Sequence, residues 1–269
     1  MACQYTIDQV AYFNNQIAVI KGIQKYGDKI KYACLTGVNG LEMWIPEEYL
    51  SEEPTSAPEN LMFQQRSPHL LVVDRFYKDP DYIRHLALMQ DFEADTRYYK
   101  GKRTRSRLMW PYLKEEFERL LNTQITDWMY QPANSVFQIT GFNDPLVWHS
   151  DGQSYAAAIY MTPNAPITAG TSFWRDKKHH CRRAPQHPLE ADRFENDEHR
   201  HAVGSEIFTG YNLLHPDNWE LVDRVGAVYN RLVMWDAKII HSASSYEGLE
   251  SDVTDKARLV QLFFFNVAN

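Results

Sequence analysis

His149, Ser150 and Asp151, inside the stretch Trp148-His-Ser-Asp-Gly152, set an imidazole and a carboxylate two residues apart. On an extended chain residues i and i+2 point to the same face, so these two side chains converge on one point in space. The pair has two readings. It is a polar turn after a strand, with the histidine held as a structural residue, or it is part of a metal site that lacks its third ligand. Two imidazoles and one carboxylate are the ligand set that grips one face of Fe(II) and leaves open positions on the other. Downstream, His241 ends the run NRLVMWDAKIIH, in which an apolar stretch delivers one histidine to the mouth of a sheet. Arg258 then opens KARLVQLFFFNV and shares a strand face with Val260, Leu262 and Phe264. A guanidinium at the head of an apolar face must find an anion, because burying it unpaired is costly.

This order of HxD, a distant histidine and an arginine on the next strand resembles the Fe(II)/2-oxoglutarate dioxygenases, and more narrowly their prolyl-hydroxylase-like branch. Ile159-Tyr-Met-Thr162 and Ala169-Gly-Thr-Ser-Phe173 look like the YLN and GGxT-F patterns that follow HxD there, and LVVDRFYKDPDYIRHLAL looks like the family's opening strand and helix. The resemblance runs from about Leu70 to the C-terminus. It implies an α+β domain with a double-stranded β-helix core, jelly-roll and cupin-like, with flanking helices. By the same resemblance His149, Asp151 and His241 ligate Fe(II), Arg258 holds the distal carboxylate of 2-oxoglutarate, and the Tyr160 hydroxyl reaches that carboxylate too. The implied activity uses O2 and 2-oxoglutarate to hydroxylate a peptide or small, amino-acid-like substrate. Two positions depart from the pattern: Ala169 replaces the first glycine of the turn, and Phe142 stands where relatives often carry tyrosine.

The elements that must position these residues come in three blocks. Residues 1–50 read as short strands parted by Asn14-Asn15, Gly27-Asp28 and Asn39-Gly40, turn pairs that tolerate positive φ, with a closing helical turn at Pro46-Glu-Glu-Tyr-Leu50. That spacing predicts a small SH3-like β-barrel. The acidic, proline-bearing SEEPTSAPEN predicts a linker over 51–66, and an oxygenase-like domain follows over 67–269. In it, Asp79-Pro80 predicts a capped helix burying Ile83, Leu86 and Ala87, and Pro111 a second helix with Leu113, Phe117, Leu120 and Leu121 on one face. From Ser135 onward strands dominate: SVFQITGF, YAAAIYM, GTSFW, YNRLVMW and ARLVQLFFFNV. A charged, turn-rich insert at 175–220 interrupts them, read as a lid or as a partly disordered loop. Trp148, Trp174 and Trp235 read as core rather than as substrate platforms.

Composition removes several classes. The net charge of -7 gives no positive field for nucleic acid or an anionic membrane. The patch RYYKGKRTRSR reads as a solvated loop, with oxidative repair of nucleic acid as the reading it would otherwise serve. Three scattered cysteines make neither a disulfide framework nor a paired-cysteine zinc site, and His179, His180, Cys181, His187, His199 and His201 match no structural zinc spacing. No apolar run reaches membrane-span length and no signal-like start is present, so the expected location is the cytoplasm. No GxSxG, P-loop or GxGxxG occurs. The reading opposed to an enzyme is a non-catalytic, cupin-like metal-binding or partner-binding shell.

Overall fold

The computed structural model describes residues 3–13, 16–36, 41–54, 68–94, 101–210, 212–250 and 256–268. Contacts divide the chain into two units, Met1–Arg66 and Ser67–Asn269. The expected linker falls mostly outside the described residues, as do the turns at Asn14-Asn15 and Asn39-Gly40.

The first unit is an antiparallel meander of β1 (Val10–Phe13), β2 (Gln16–Tyr26), β3 (Lys29–Thr36) and β4 (Leu41–Pro46). Gly27 makes the β2–β3 hairpin with φ 60°, the left-handed backbone that a two-residue turn needs and that costs glycine nothing. Alternate residues Ala18, Ile20, Ile30, Tyr32, Cys34 and Ile45 are buried with Tyr5 and Leu50 in a core of their own. The expected closed barrel is replaced by an open sheet. Edge strands β1 and β4 do not pair, and after the 3₁₀ turn Glu47–Tyr49 the chain returns to β1 through one bridge, Tyr12 to Ser51. Four strands joined by one residue pair lack the continuous stagger that barrel closure requires.

The second unit holds a seven-stranded and a three-stranded sheet. The large sheet runs β5 (Leu70–Val73), β12 (Leu232–Asp236), β9 (Tyr155–Tyr160), β14 (Arg258–Phe265), β8 (Val136–Thr140), β7 (Lys102–Thr104), β6 (Phe92–Ala94). The small one runs β11 (Trp219–Val225), β10 (Thr171–Asp176), β13 (His241–Ala243). From β8 onward the chain alternates between them: β8 large, His149 bridged to β13 in the small, β9 large, β10 and β11 small, β12 large, β13 small, β14 large. That winding is consistent with a jelly-roll core.

Helices α1 (Pro80–Leu88) and α2 (Pro111–Leu121) cover one face of the large sheet. Asp79 caps α1 by accepting from the Tyr82 amide at 3.0 Å, with Pro80 in the first turn. Ile83, Ala87, Leu113, Phe117 and Leu121 meet Phe137, Ile159, Phe263 and Phe265 of the sheet. Ala156, Ala158, Tyr160, Val233, Trp235 and Val260 face the small sheet, where they join Phe173 and Val225. Every residue of β9 is therefore buried, and its alanines fit a strand covered on both sides. Phe117 packs against Phe76, Trp128, Phe263 and Phe265. Phe117→Ala is expected to cost about 3–5 kcal/mol, read from urea unfolding.

Two expectations are corrected here. The insert is folded rather than disordered: it carries α3 (Pro188–Ala191) and α4 (Asp197–Ile207), and Cys181, Val203 and Ile207 pack on Trp148, Trp219 and Ile240. The basic patch is not wholly a solvated loop, because Lys102 and Arg103 pair with Ile139 and Gln138 as β7 joins β8. Among the described residues no helix is long and apolar enough to cross a membrane.

Candidate metal centre

His149 and His241 face each other across a backbone bridge: the His149 amide donates to the His241 carbonyl at 3.1 Å, and the His241 amide donates back to the His149 carbonyl at 2.8 Å. Directly opposed residues carry their side chains side by side, and the imidazole centroids stand 4.4 Å apart. His149 is not inside a continuous strand, as the HxD spacing suggested, but in this isolated bridge. Asp151 is fixed separately, its amide donating to the Ala237 carbonyl at 2.8 Å.

Both rings are oriented in the same way. His149 Nδ1 lies 3.0 Å from the Val147 carbonyl and His241 Nδ1 2.8 Å from that of Ile239. A carbonyl only accepts, so each Nδ1 carries the proton and each Nε2 presents a lone pair. Those lone pairs aim at Asp151: His241 Nε2 is 3.3 Å from Oδ2 and His149 Nε2 3.9 Å from Oδ1. Asp151 Oδ2 is buried without a hydrogen-bond partner. Acceptors facing acceptors repel unless a cation sits between them, and the ligand atoms of all three residues lie within 4.8 Å of one another. Among the described residues this is the one group of histidine, cysteine and acidic side chains that could hold a metal ion. The histidines and cysteine of the insert do not gather.

Burial alone would raise the Asp151 pKa, but the adjacent His241, the positive charge that either imidazole carries when protonated and that of Arg103 outweigh it and hold the carboxyl below its ordinary value. Desolvation and then His241 push His149 down, against the pull of Asp151 and Val147. The site thus favours a charged carboxylate beside a neutral His149, the protonation states that ligands need.

A cavity of about 510 Å³ opens on the three residues, within the range of small-molecule sites. Arg258 lines it, 6% exposed, with no carboxylate partner among the described residues. Its Nε donates to the Ala169 carbonyl at 2.7 Å and its Nη2 to that of Gly170 at 3.3 Å, while its guanidinium carbon sits 5.6 Å from the Tyr160 ring centre. Tyr160 is not a lining residue. Its hydroxyl is 2.8 Å from Thr171 Oγ1, and Thr171 does reach the cavity. Trp148 and Trp235 are buried as expected, but Trp235 also lines the cavity. Phe142 is 70% exposed.

A family model described as "Family of unknown function (DUF6445)" matches residues 142–265. His149, Asp151, Tyr160, His241 and Arg258 all fall within that span. A comparison with curated proteins gives no match. Among solved structures, HygX from Streptomyces hygroscopicus with nickel, 2-oxoglutarate and hygromycin B bound is 11% identical, covering 74% of this chain and 83% of that one, with a TM-score of 0.41. The Fe(II)/α-ketoglutarate-dependent dioxygenase TqaL is 13% identical, covering 75% and 86%, with a TM-score of 0.35.

Sequence reasoning missed Thr171, the cavity-facing role of Trp235, and Arg103, which lines the same space. It did single out the turn at Gly170. A Cβ there would stand 1.8 Å from the Val225 carbonyl oxygen, so only glycine fits. Because the same turn supplies both carbonyls that hold Arg258, Gly170→Ala is expected to lower stability by about 1–3 kcal/mol, read from denaturant unfolding.

Proposed function

We propose that this chain is a non-haem Fe(II)- and 2-oxoglutarate-dependent oxygenase on a double-stranded β-helix core, of the prolyl-hydroxylase-like kind. His149, Asp151 and His241 are its metal ligands and Arg258 is the partner of the cosubstrate's distal carboxylate. One observation carries the reading: two oriented Nε2 lone pairs and an unpartnered Asp151 oxygen converge in a cavity that a buried guanidinium also lines.

Bound Fe(II), 2-oxoglutarate and O2 supply the oxidising chemistry, decarboxylation of the keto acid coupled to hydroxylation of a substrate C–H bond. The protein's own residues do the positioning. The Val147 and Ile239 carbonyls keep both rings in the ligating tautomer. The Ala169 and Gly170 carbonyls fix the Arg258 plane, so its donors meet a carboxylate without reorganising. Tyr160 supports that site indirectly, its ring against the Arg258 guanidinium and its hydroxyl on Thr171. Val147, Leu262 and Phe264 give the cavity an apolar wall that keeps water from the reacting bond and suits a peptide or amino-acid-like substrate.

The first unit serves as a separate module, and three free cysteines fit a reducing, cytoplasmic setting. Purified protein is expected to consume 2-oxoglutarate only with Fe(II) and O2 both present, and to develop a weak visible absorption band with Fe(II) and 2-oxoglutarate when O2 is excluded. Metal binding with neither band nor consumption would make the chain a non-catalytic metal-binding shell instead.

A further inference from the structure

We propose that Arg183, in the charged insert, is a positioning residue for the metal centre: its ion pair with Asp236 locks the turn that holds the ligand residues, an inference that rests on the oxygenase reading. The turn spans 237–240 and joins β12 to β13. Its Ala237 carbonyl receives the Asp151 amide at 2.8 Å, and its Ile239 carbonyl orients the His241 ring at 2.8 Å. Lys238 reaches across as well, its Nζ donating to the Asp151 carbonyl at 3.4 Å and to the Gly152 carbonyl. His149 follows His241 through their backbone bridge. The three side chains therefore take their places from one four-residue segment, and a shift of that segment moves them relative to one another.

Ala237, Lys238, Ile239 and Ile240 include no residue that prefers a turn, so the rigidity has to come from outside. Asp236 and the insert supply it. Asp236 Oδ1 accepts from the Lys238 amide at 3.0 Å, while its Oδ2 accepts from Arg183 Nε at 3.0 Å and Nη2 at 2.7 Å. One carboxylate thus ties the backbone of the turn to the insert. His69 Nδ1 accepts from the same Nη2 at 3.1 Å and steadies the guanidinium. A second stitch runs beside the first: the Ile240 amide donates to the Arg182 carbonyl at 2.8 Å, and the Arg182 amide to Glu190 Oε1 at 2.9 Å.

The pair is nearly dry, with side chains 7% and 17% exposed. Taking two charges out of water costs about what their attraction returns, so such a pair adds little net stability over apolar residues of the same size. What it supplies is direction. Two guanidinium donors on one oxygen hold Asp236 in the orientation that presents Oδ1 to the Lys238 amide. Neither Arg183 nor Asp236 lines the cavity, so the pair reaches the ligands only through the turn.

The test uses the full chain and two readouts. Mn(II), which is redox-silent, is titrated calorimetrically into the metal-free protein. Arg183→Gln should weaken its binding about tenfold, the lower end of what losing an outer partner does to metal affinity. Asp236→Asn should do the same, the double variant should be no worse than the worse single one, and Arg183→Lys should recover part of the loss. Leu121→Ala, which opens the helix-covered core without touching the turn, should lose stability and keep its Mn(II) affinity. The second readout is amide exchange of the metal-free chain. In Arg183→Gln the Asp151, Lys238 and Ile239 amides should exchange about tenfold faster, while those of Ala157 and Phe263 in β9 and β14 keep the parent rate. Undiminished Mn(II) affinity in Arg183→Gln overturns the inference, as does an equal loss in Leu121→Ala. So does exchange that is unchanged at the turn or accelerated alike throughout the sheet. Should Arg183→Gln fail to fold, Asp236→Asn and Arg183→Lys decide by the same two readings. Should the parent bind no Mn(II), the oxygenase reading is what has failed, and the exchange rates alone decide whether Arg183 holds the three side chains in place.

Discussion

Asp151→Ala should abolish Fe(II)-dependent consumption of 2-oxoglutarate. The loss should exceed about 100-fold, because removal of an outer partner of a ligand already costs about 10–100-fold in metal affinity or activity. Asp151 is the one anion of the three-residue set, and its carboxyl is held below its ordinary pKa, so it stays ionised across the neutral range. Without it two neutral imidazoles remain, 4.4 Å apart, with no charge to offset a divalent ion beside Arg103 and Arg258. Asp151→Asn separates charge from shape: it preserves the side-chain volume and should fail almost as badly. A thermal-shift readout needs no turnover. Excess metal at about 100 times Kd should stabilise the parent by about 2.7 kcal/mol, and neither variant should respond. Full turnover or an undiminished metal-induced shift in Asp151→Ala would remove the metal assignment.

What the sequence made legible was mostly local. Asp79-Pro80 writes its own helix start because a cap needs only the next three residues, and the α2 face repeats Leu113, Phe117 and Leu121 at helical spacing. The four polar positions His149, Asp151, His241 and Arg258 stood out because each interrupts or heads an apolar run, and the fold brings them to one cavity. What stayed hidden depends on contacts between distant segments. Arg103 sits on a three-residue strand, too short for its alternation to show, and its direction is set only when β7 pairs with β8. The insert read equally as a lid or as a partly disordered loop because its apolar residues are sparse, yet Val203 and Ile207 find Trp148 and Ile240 on other elements. The same limit explains the open first sheet. Turn residues announce hairpins, but whether the last strand meets the first is decided by pairing that no turn encodes.

Arg258→Gln should raise KM for 2-oxoglutarate by about 30-fold or more while Fe(II) or Mn(II) binding persists. Truncating one partner of a buried, hydrogen-bonded charge pair costs about 2–5 kcal/mol, and each 1.4 kcal/mol is a factor of ten. Arg258→Lys keeps the charge but not the planar fork, and should fall between. A structural explanation competes with this one, since Arg258 also ties down the Ala169 and Gly170 carbonyls. The two are separated by 2-oxobutanoate, a keto acid that chelates in the same way but has no distal carboxylate for a guanidinium to hold. If Arg258 binds that carboxylate, the parent prefers 2-oxoglutarate strongly, Arg258→Gln loses the preference, and 2-oxobutanoate is handled alike by both proteins. If Arg258 merely braces the turn, both keto acids suffer together and the preference survives. The preference ratio, rather than either KM alone, therefore decides what this buried guanidinium is for, because a distorted turn divides out of it and a lost anion partner does not.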